Sequence, residues 1–269
     1  MNWLKSIYAI GVVTISLITT SCESTIEGGS DYTPPVYDGN TIKVMSYNMY
    51  DQNKASLEDI GEVIKNTDTD IIGLQEVTLI KNGVNTEERL KEITGMQYSL
   101  FAKALDDNSG VPYGNLILSK TPFTHTETHV LGYLIDTYYR SIGIVKTNVN
   151  GNDVYFATTH LDHKDDINRI YQTEQILGHI KDLDGNFIIC GDFNGDESSE
   201  SIAMLKNDRF SLGCVNNYCP PTVTVPKPNK AIDFILFSTT NFYVKEYDAD
   251  YSAFTQSDHF PVYATFIFK

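Results

Sequence analysis

The chain has 269 residues, 41% of them hydrophobic and 20% charged, enough for one large domain with a sizeable core. A formal net charge of -15 at pH 7 argues against the broad basic face that non-specific nucleic-acid binding requires. It leaves open a nucleic-acid substrate whose phosphates are neutralised locally by divalent cations.

In chain order, the first segment reads as an address. Met1 to Lys5 is a short positive region, and Ser6 to Thr20 is an apolar run too short to span a bilayer comfortably. Ser21-Cys22 follows, then a polar stretch with Gly and Pro to about Asn40. A small residue before a Cys at the end of such a run resembles a bacterial lipoprotein cleavage site, although Thr19 stands where Leu is usual. Residues 1–21 are then a signal peptide, Cys22 the lipidated residue, and 22–40 a tether holding an exported domain on a membrane. An ordinary secretory peptide with an incidental Cys is the alternative.

From residue 41 the pattern is that of a folded domain reaching 269. Thr41 to Met49 alternates as a strand, and Ser56 to Lys65 carries Leu57, Ile60 and Val63-Ile64 at helical spacing with Ser56 as N-cap. A buried strand at Asp70 to Leu74 ends in Gln75-Glu76, and a helix is expected over Thr86 to Ile93. Strands follow at Tyr98 to Ala104, Gly114 to Ser119, His125 to Leu134, Tyr138 to Val149 and Val154 to Thr159, the last pair joined by an Asn150-Gly151-Asn152 turn. Asp165 to Asp182 is the clearest amphipathic helix. A strand at 187–191 precedes a short helix near Glu200 to Lys206 and an irregular loop over 210–230. Strands at Ala231 to Phe237, Asn241 to Tyr247 and Val262 to Phe268 complete the domain. Export permits disulfides, and Cys214 and Cys219 are spaced for a local one, whereas Cys190 sits inside an apolar strand as a small hydrophobe.

The central stretch is Phe187 to Asp196, an apolar run that stops at Gly191-Asp192-Phe193-Asn194. Asp, Asn and Gly favour an Asx-type turn there. A divalent metal, or a water aimed at phosphorus, equally calls for a carboxylate and a carboxamide. Other strand ends carry similar groups: Asn48, Glu76, His160 with Asp162, Asp233, and Ser257-Asp258-His259. Each alone has a plain reading: a solvated loop residue for Glu76, a satisfied structural histidine for His160, an edge-strand charge for Asp233. Recurrence at matching ends of several strands points to convergence. His160-x-x-His163 and His125-x-x-x-His129 have the spacing of zinc pairs but lack any supporting context.

The runs Met45-Ser46-Tyr47-Asn48, Asp70 to Glu76, Gly114 to Ser119, Thr159-His160-Leu161-Asp162-His163, Gly191 to Asn194, Ile232 to Ile235 and Ser257 to Pro261 resemble the endonuclease/exonuclease/phosphatase superfamily. They stand in that family's order and cover nearly all of the chain after residue 40. The resemblance implies a four-layer α/β sandwich, two mixed sheets face to face with helices outside. It implies a phosphoester hydrolase using Mg²⁺ or Mn²⁺. Glu76, with Asn48 beside it, is then the principal metal ligand, and Asp258 adds a metal or water contact. Asp192 and Asn194 orient the attacking water and contact the phosphate, Asp233 holds His259 in one tautomer so that it acts as base or as a phosphate-facing donor, and His160 donates to a phosphoryl oxygen. Arg140 stands where relatives bring a phosphate-binding arginine, though a surface arginine would read the same way. Tyr113 and Asn115 are expected to line the substrate site. The expected partner is a phosphoester substrate, a small molecule or lipid headgroup before duplex DNA, handled by a monomer. Nucleases and a non-catalytic binding protein on the same scaffold are the rival readings.

Overall fold

The computed structural model describes residues 39–214, 218–224 and 229–269. The signal peptide, Cys22 and all but the end of the tether lie outside these residues. The described residues form β1 (Thr41–Asn48), α1 (Leu57–Thr67), β2 (Ile71–Thr78), a small hairpin of β3 (Ile80–Lys81) and β4 (Val84–Asn85), and α2 (Thr86–Thr94). There follow β5 (Tyr98–Asp106), β6 (Pro112–Ser119), β7 (Phe123–Leu131), β8 (Arg140–Val149), β9 (Asn152–His160), α3 (Asp166–Ile180) and β10 (Phe187–Asp192). The chain continues through α4 (Glu200–Asp208), β11 (Phe210–Leu212), β12 (Asp233–Ser238), β13 (Phe242–Ala249) and β14 (Val262–Phe268).

Two six-stranded sheets result, in the orders β13-β14-β1-β2-β6-β5 and β11-β12-β10-β9-β8-β7. Each is mixed, with one parallel pair at its centre: β1 beside β2, joined through α1, and β9 beside β10, joined through α3. Such crossovers place a helix on one face of each sheet and leave the other face for the opposite sheet.

Strand periodicity sorts the core into three layers. Ile42 and Val44 of β1, Ile188 and Cys190 of β10, and Ile235 of β12 point between the sheets. Their alternating neighbours point outward: Met45, Tyr47, Ile72 and Leu74 meet Ile60, Ile64 and Leu90 of α1 and α2. Ile189, Phe234 and Leu236 meet Ile176, Ile180, Ile202 and Leu205 of α3 and α4. A strand buried on both faces reads as a continuous apolar run. The order helices, sheet, sheet, helices is the four-layer α/β sandwich expected. At Gly73, between the sheets, a Cβ would lie 2.3 Å from Thr158 Oγ1.

The helix at Ser56 begins as expected, with a capping box to Asp59. Three expectations need correction. Residues 132–139 are a loop, although the sequence reads as strand up to Leu134 and again from Tyr138. Their backbone is captured by α3: Asn168 Oδ1 accepts from Leu134 N and Ile135 N at 2.8 and 2.9 Å, and Gln175 Oε1 from Gly132 N at 2.9 Å. The 210–230 segment is not wholly irregular, because Phe210–Leu212 pairs with β12. The β3–β4 hairpin was not anticipated; two residues per strand carry no readable period. Cys214 and Cys219 form a disulfide, and Cys190 is free and buried.

Candidate active site

Parallel pairing brings strand ends to one edge. Asn48 closes β1 in register with Gln75, one residue before Glu76 on β2. In the other sheet Asp192 closes β10 with His160 as its β9 partner and Asp233 as its β12 partner. Five separate strands therefore deliver polar groups to one place, and His259 joins them from the segment before β14. Gly191 makes the close approach possible, since a Cβ there would sit 2.0 Å from the Thr159 carbonyl oxygen.

Two ligand-facing residues adopt left-handed backbone that side chains rarely accept: Glu76 at φ 57° and Asn194 at φ 51°. The Glu76 conformation coincides with a register shift between Leu74 and Val77 against β6, a bulge that turns its carboxylate away from the ladder. Below it, Gln75 is fully buried and ties the sheets together through Nε2, which donates to Thr158 Oγ1 at 2.8 Å. Tyr50, Asp51 and Gln52 continue the left-handed geometry directly after β1, placing Asp51 on the cleft wall.

The polar groups are tightly linked. Asn48 Nδ2 donates to Glu76 Oε1 at 3.1 Å and to Asp192 Oδ2 at 2.9 Å, so one carboxamide bridges two carboxylates. Its Oδ1 accepts from Tyr50 N at 3.0 Å. Ser257 Oγ donates to Asn48 O at 2.7 Å and accepts from His259 N at 3.1 Å, locking the two segments together. His259 Nδ1 is 2.8 Å from Asp233 Oδ2, and its Nε2 lies 3.7 Å from Asp192 Oδ2. Burial alone would lower the His259 pKa; the Asp233 and Asp192 carboxylates outweigh it and lift the imidazole to about 10. Asp192 is raised by burial and by Asp233. Glu76 is raised by burial, and among the described residues it has no ion-pair partner within 4 Å.

Arg140 is 7% exposed and forks between two histidines, Nη1 at 3.2 Å from His160 Nδ1 and Nη2 at 3.1 Å from His163 Nδ1. Its Nε has no hydrogen-bond partner. Asn194 Nδ2 reaches the far nitrogen of His160 at 3.0 Å and the Leu161 carbonyl oxygen at 3.0 Å. Burial, then the Arg140 charge, hold the His160 pKa well below its ordinary value. A neutral imidazole accepts on one nitrogen only, yet His160 faces N–H donors on both. One of those donors lacks a lone pair to bond, and an anionic oxygen in the cleft would supply it.

These groups line a cleft of about 580 Å³. Of the residues singled out from sequence, Glu76, Tyr113, Arg140, His160, Asp192, Asn194 and His259 line it. Asn48 and Asp233 are buried immediately behind, bonded to lining side chains. Asp258 adjoins without lining; its carbonyl oxygen accepts from Thr224 N at 2.7 Å. Asn115 is not brought into this cleft: its Nδ2 donates to Ser141 O and Oγ at 2.9 and 3.0 Å, a cross-sheet tie beside Arg140. Sequence reasoning missed Asp51, Thr78, Leu105 to Asn108 and Tyr138 as lining residues, and did not give His163 a place there. Thr78, Leu105 and Asp106 are the last residues of β2 and β5 and the others sit in loops or short turns, places where no hydrophobic period marks a position.

Two donor sets suit a divalent cation. Asp192, Asp233 and His259 hold possible ligand atoms within 4.8 Å of one another, but the raised imidazole already supplies a positive charge there. Glu76 is a hard carboxylate with no ion-pair partner within 4 Å among the described residues; Asn48 turns its Nδ2, not its oxygen, towards it and so positions the carboxylate without offering a second ligand atom.

The Endonuclease/Exonuclease/phosphatase family model matches residues 45–259. No sequence among the curated proteins matches the chain. Solved structures share its fold. One is an endonuclease/exonuclease/phosphatase from Beutenbergia cavernae DSM 12333, at 20% identity and TM-score 0.74, covering 85% of this chain and 72% of that one. A mannosyl-6-phosphatase of Bacteroides thetaiotaomicron VPI-5482 aligns at 19% identity and TM-score 0.69, covering 84% of this chain and all (100%) of its own. The catalytic domain of human Nocturnin, with a bound sulfate anion, aligns at 19% identity and TM-score 0.68, covering 86% and 96%.

Proposed function

This chain belongs to the endonuclease/exonuclease/phosphatase family, and from that footing we propose that it is a divalent-metal-dependent phosphoester hydrolase acting on a small molecule or lipid headgroup. The observation that carries the reading is the convergence of Glu76, Asp192, His259, His160, Asn194 and Arg140 on one cleft. Members of this family are phosphoester hydrolases and are generally divalent-metal dependent.

Each side chain has a role consistent with its surroundings. Glu76, with Asn48 beside it, holds the cation, which when bound neutralises charge developing on the phosphoryl oxygens. The Arg140 guanidinium, on the cleft wall, and the surplus donor at His160 grip the phosphoryl oxygens and stabilise the transition state. Asp192 and Asn194 orient the water for in-line attack. Asp192 is the better base, because its raised pKa makes it the stronger acceptor of the water's proton. His259 is the better acid: Asp233 fixes its Nδ1 proton and keeps the ring protonated at neutral pH.

Both mono- and diesters fit this chemistry. The relatives named above include a mannosyl-6-phosphatase, which favours attention to monoesters. A nuclease is the second reading, favoured by the family but opposed by the acidic composition. For location, we propose export and a lipid anchor at Cys22, on the strength of the Ser21-Cys22 site alone.

The test is hydrolysis of bis(p-nitrophenyl) phosphate, p-nitrophenyl phosphate and supercoiled plasmid with Mg²⁺, Mn²⁺ or EDTA, beside Glu76→Ala and His259→Ala. Metal-dependent turnover lost in both variants supports the reading, and the substrate consumed ranks diesterase, monoesterase and nuclease. No turnover of any of the three would favour a binding role.

A further inference from the structure

The cleft extends beyond the groups that handle phosphate. Its outer walls come from the tip of the β5–β6 hairpin, with Leu105 to Asn108, and from the loop between β7 and β8, with Tyr138. Both walls are braced. Asp107 Oδ1 accepts from Ser109 N and Val111 N at 2.8 and 2.9 Å, an Asx turn that sets the hairpin tip. On the other wall, Asn168 grips Leu134 and Ile135, and Thr137 Oγ1 donates to the fully buried Asp162 at 2.6 Å.

The braced loop presents an aromatic ring to water. Tyr138 is 55% exposed; Lys164 Nζ lies over one side of its ring, 4.9 Å from the centroid, and the ring is nearly parallel to that of His163, at 15° and 6.2 Å between centroids. His163 accepts from Arg140 at Nδ1, which places its own proton on Nε2. No described residue accepts from that Nε2–H, so it remains a donor in the cleft.

Charge selects among occupants. Arg140 is the one Lys or Arg among the described residues lining the cleft, against carboxylates at Asp51, Glu76, Asp106, Asp107 and Asp192. Asp51 and Asp106 are ion-paired with Lys81 and Lys103, at 2.8 and 2.7 Å, so of these carboxylates Glu76 and Asp107 have no ion-pair partner among the described residues. A strand of nucleic acid would press flanking phosphates against this acidic wall. A single phosphate at Arg140 with a neutral remainder meets no such repulsion. The outer wall combines carboxylate and amide acceptors, a fixed N–H donor and an aromatic face. Hydroxyl groups both donate and accept, and the C–H face of a sugar ring packs on an aromatic ring.

We propose that the outer half of the cleft, walled by Asp106, Asn108, Tyr138 and His163, is a leaving-group subsite for a neutral polyhydroxylated moiety, a sugar or polyol esterified to the phosphate. The proposal rests on the phosphoesterase reading only in taking the Arg140 end as the reacting end. A soluble sugar phosphate and a polyol lipid headgroup share this chemistry.

The test is calorimetric titration of the full-length protein in EDTA with hexose 6-phosphate, inorganic phosphate and thymidine 5′-monophosphate. Hexose 6-phosphate is expected to bind about tenfold tighter than inorganic phosphate, the contribution of one ring contact and one or two hydrogen bonds. Tyr138→Ala and Asn108→Ala should each narrow that gap at least about threefold. A missing gap, a preference for the nucleotide, or a gap untouched by both variants overturns the proposal. Inositol phosphate, free and as the headgroup of a phospholipid in mixed micelles, separates the soluble from the lipid source. Absence of turnover on every phosphoester with Mg²⁺ or Mn²⁺ would count against the phosphoesterase reading, while these binding data would still decide the subsite.

Discussion

The substitution Asp233→Asn isolates the electrostatics of the site. It preserves shape and an acceptor for His259 Nδ1 while removing the charge 2.8 Å away. With charge centres about 4 Å apart and an effective dielectric near 20, one carboxylate stabilises the imidazolium by roughly 4 kcal/mol, or about three pKa units. That accounts for most of the rise from 6.5 to about 10 against the opposing effect of burial. In the variant the His259 pKa should therefore fall by about three units, to roughly 7 or below. An NMR titration of the imidazole in EDTA-treated protein reads this directly. In the metal-loaded enzyme, kcat should drop by about a thousandfold or more, as when an orienting carboxylate is lost from a histidine-based site. A His259 pKa within about one unit of wild type would refute the reasoning, because Asp192 or solvent would then be the group that holds the charge.

Other outcomes follow from the same geometry. Glu76→Gln removes a carboxylate whose pKa burial has raised. The metal-free variant should melt at or above wild type by scanning calorimetry, and the rise in melting temperature that Mg²⁺ or Mn²⁺ gives the wild type should vanish. Gly191→Ala puts a Cβ 2.0 Å from a backbone oxygen that no rotamer can move, so urea unfolding should show a loss of about 3 kcal/mol or more. Above about pH 6.5 the metal-free protein should lose stability as pH rises; below it the lowered imidazoles of His160 and His163 act in the opposite sense. His259 is raised in the folded state, so its contribution is complete below its ordinary value of 6.5 and disappears as pH climbs towards about 10. Asp192 and Glu76, both raised, favour their protonated forms in the fold and act in the same direction, so metal affinity measured by calorimetry should increase with pH.

What the amino-acid sequence determined by itself is the set of strands and the chemistry at their ends. The runs that stop at Gln75-Glu76 and at Gly191-Asp192 are continuous and apolar because they are buried on both faces, between a helix layer and the opposite sheet, whereas the strand ending in Asn48 alternates. A polar group that halts such a run is conspicuous, and seven runs in one order carried the family. Helix signals were equally local, as the Ser56–Asp59 capping box illustrates. Tertiary structure decided whatever depends on groups remote in the chain. Asn48 bridges Glu76 and Asp192 across 28 and 144 residues of separation. Arg140 became the clamp between His160 and His163, a contact that leaves no trace in the spacing of the three. Residues 132–134 and 138–139 read as strand, yet side chains of Asn168 and Gln175 bind the backbone of 132–135 before a neighbouring strand can. That capture sets Tyr138 at the cleft mouth, and with it the outer wall of the cleft.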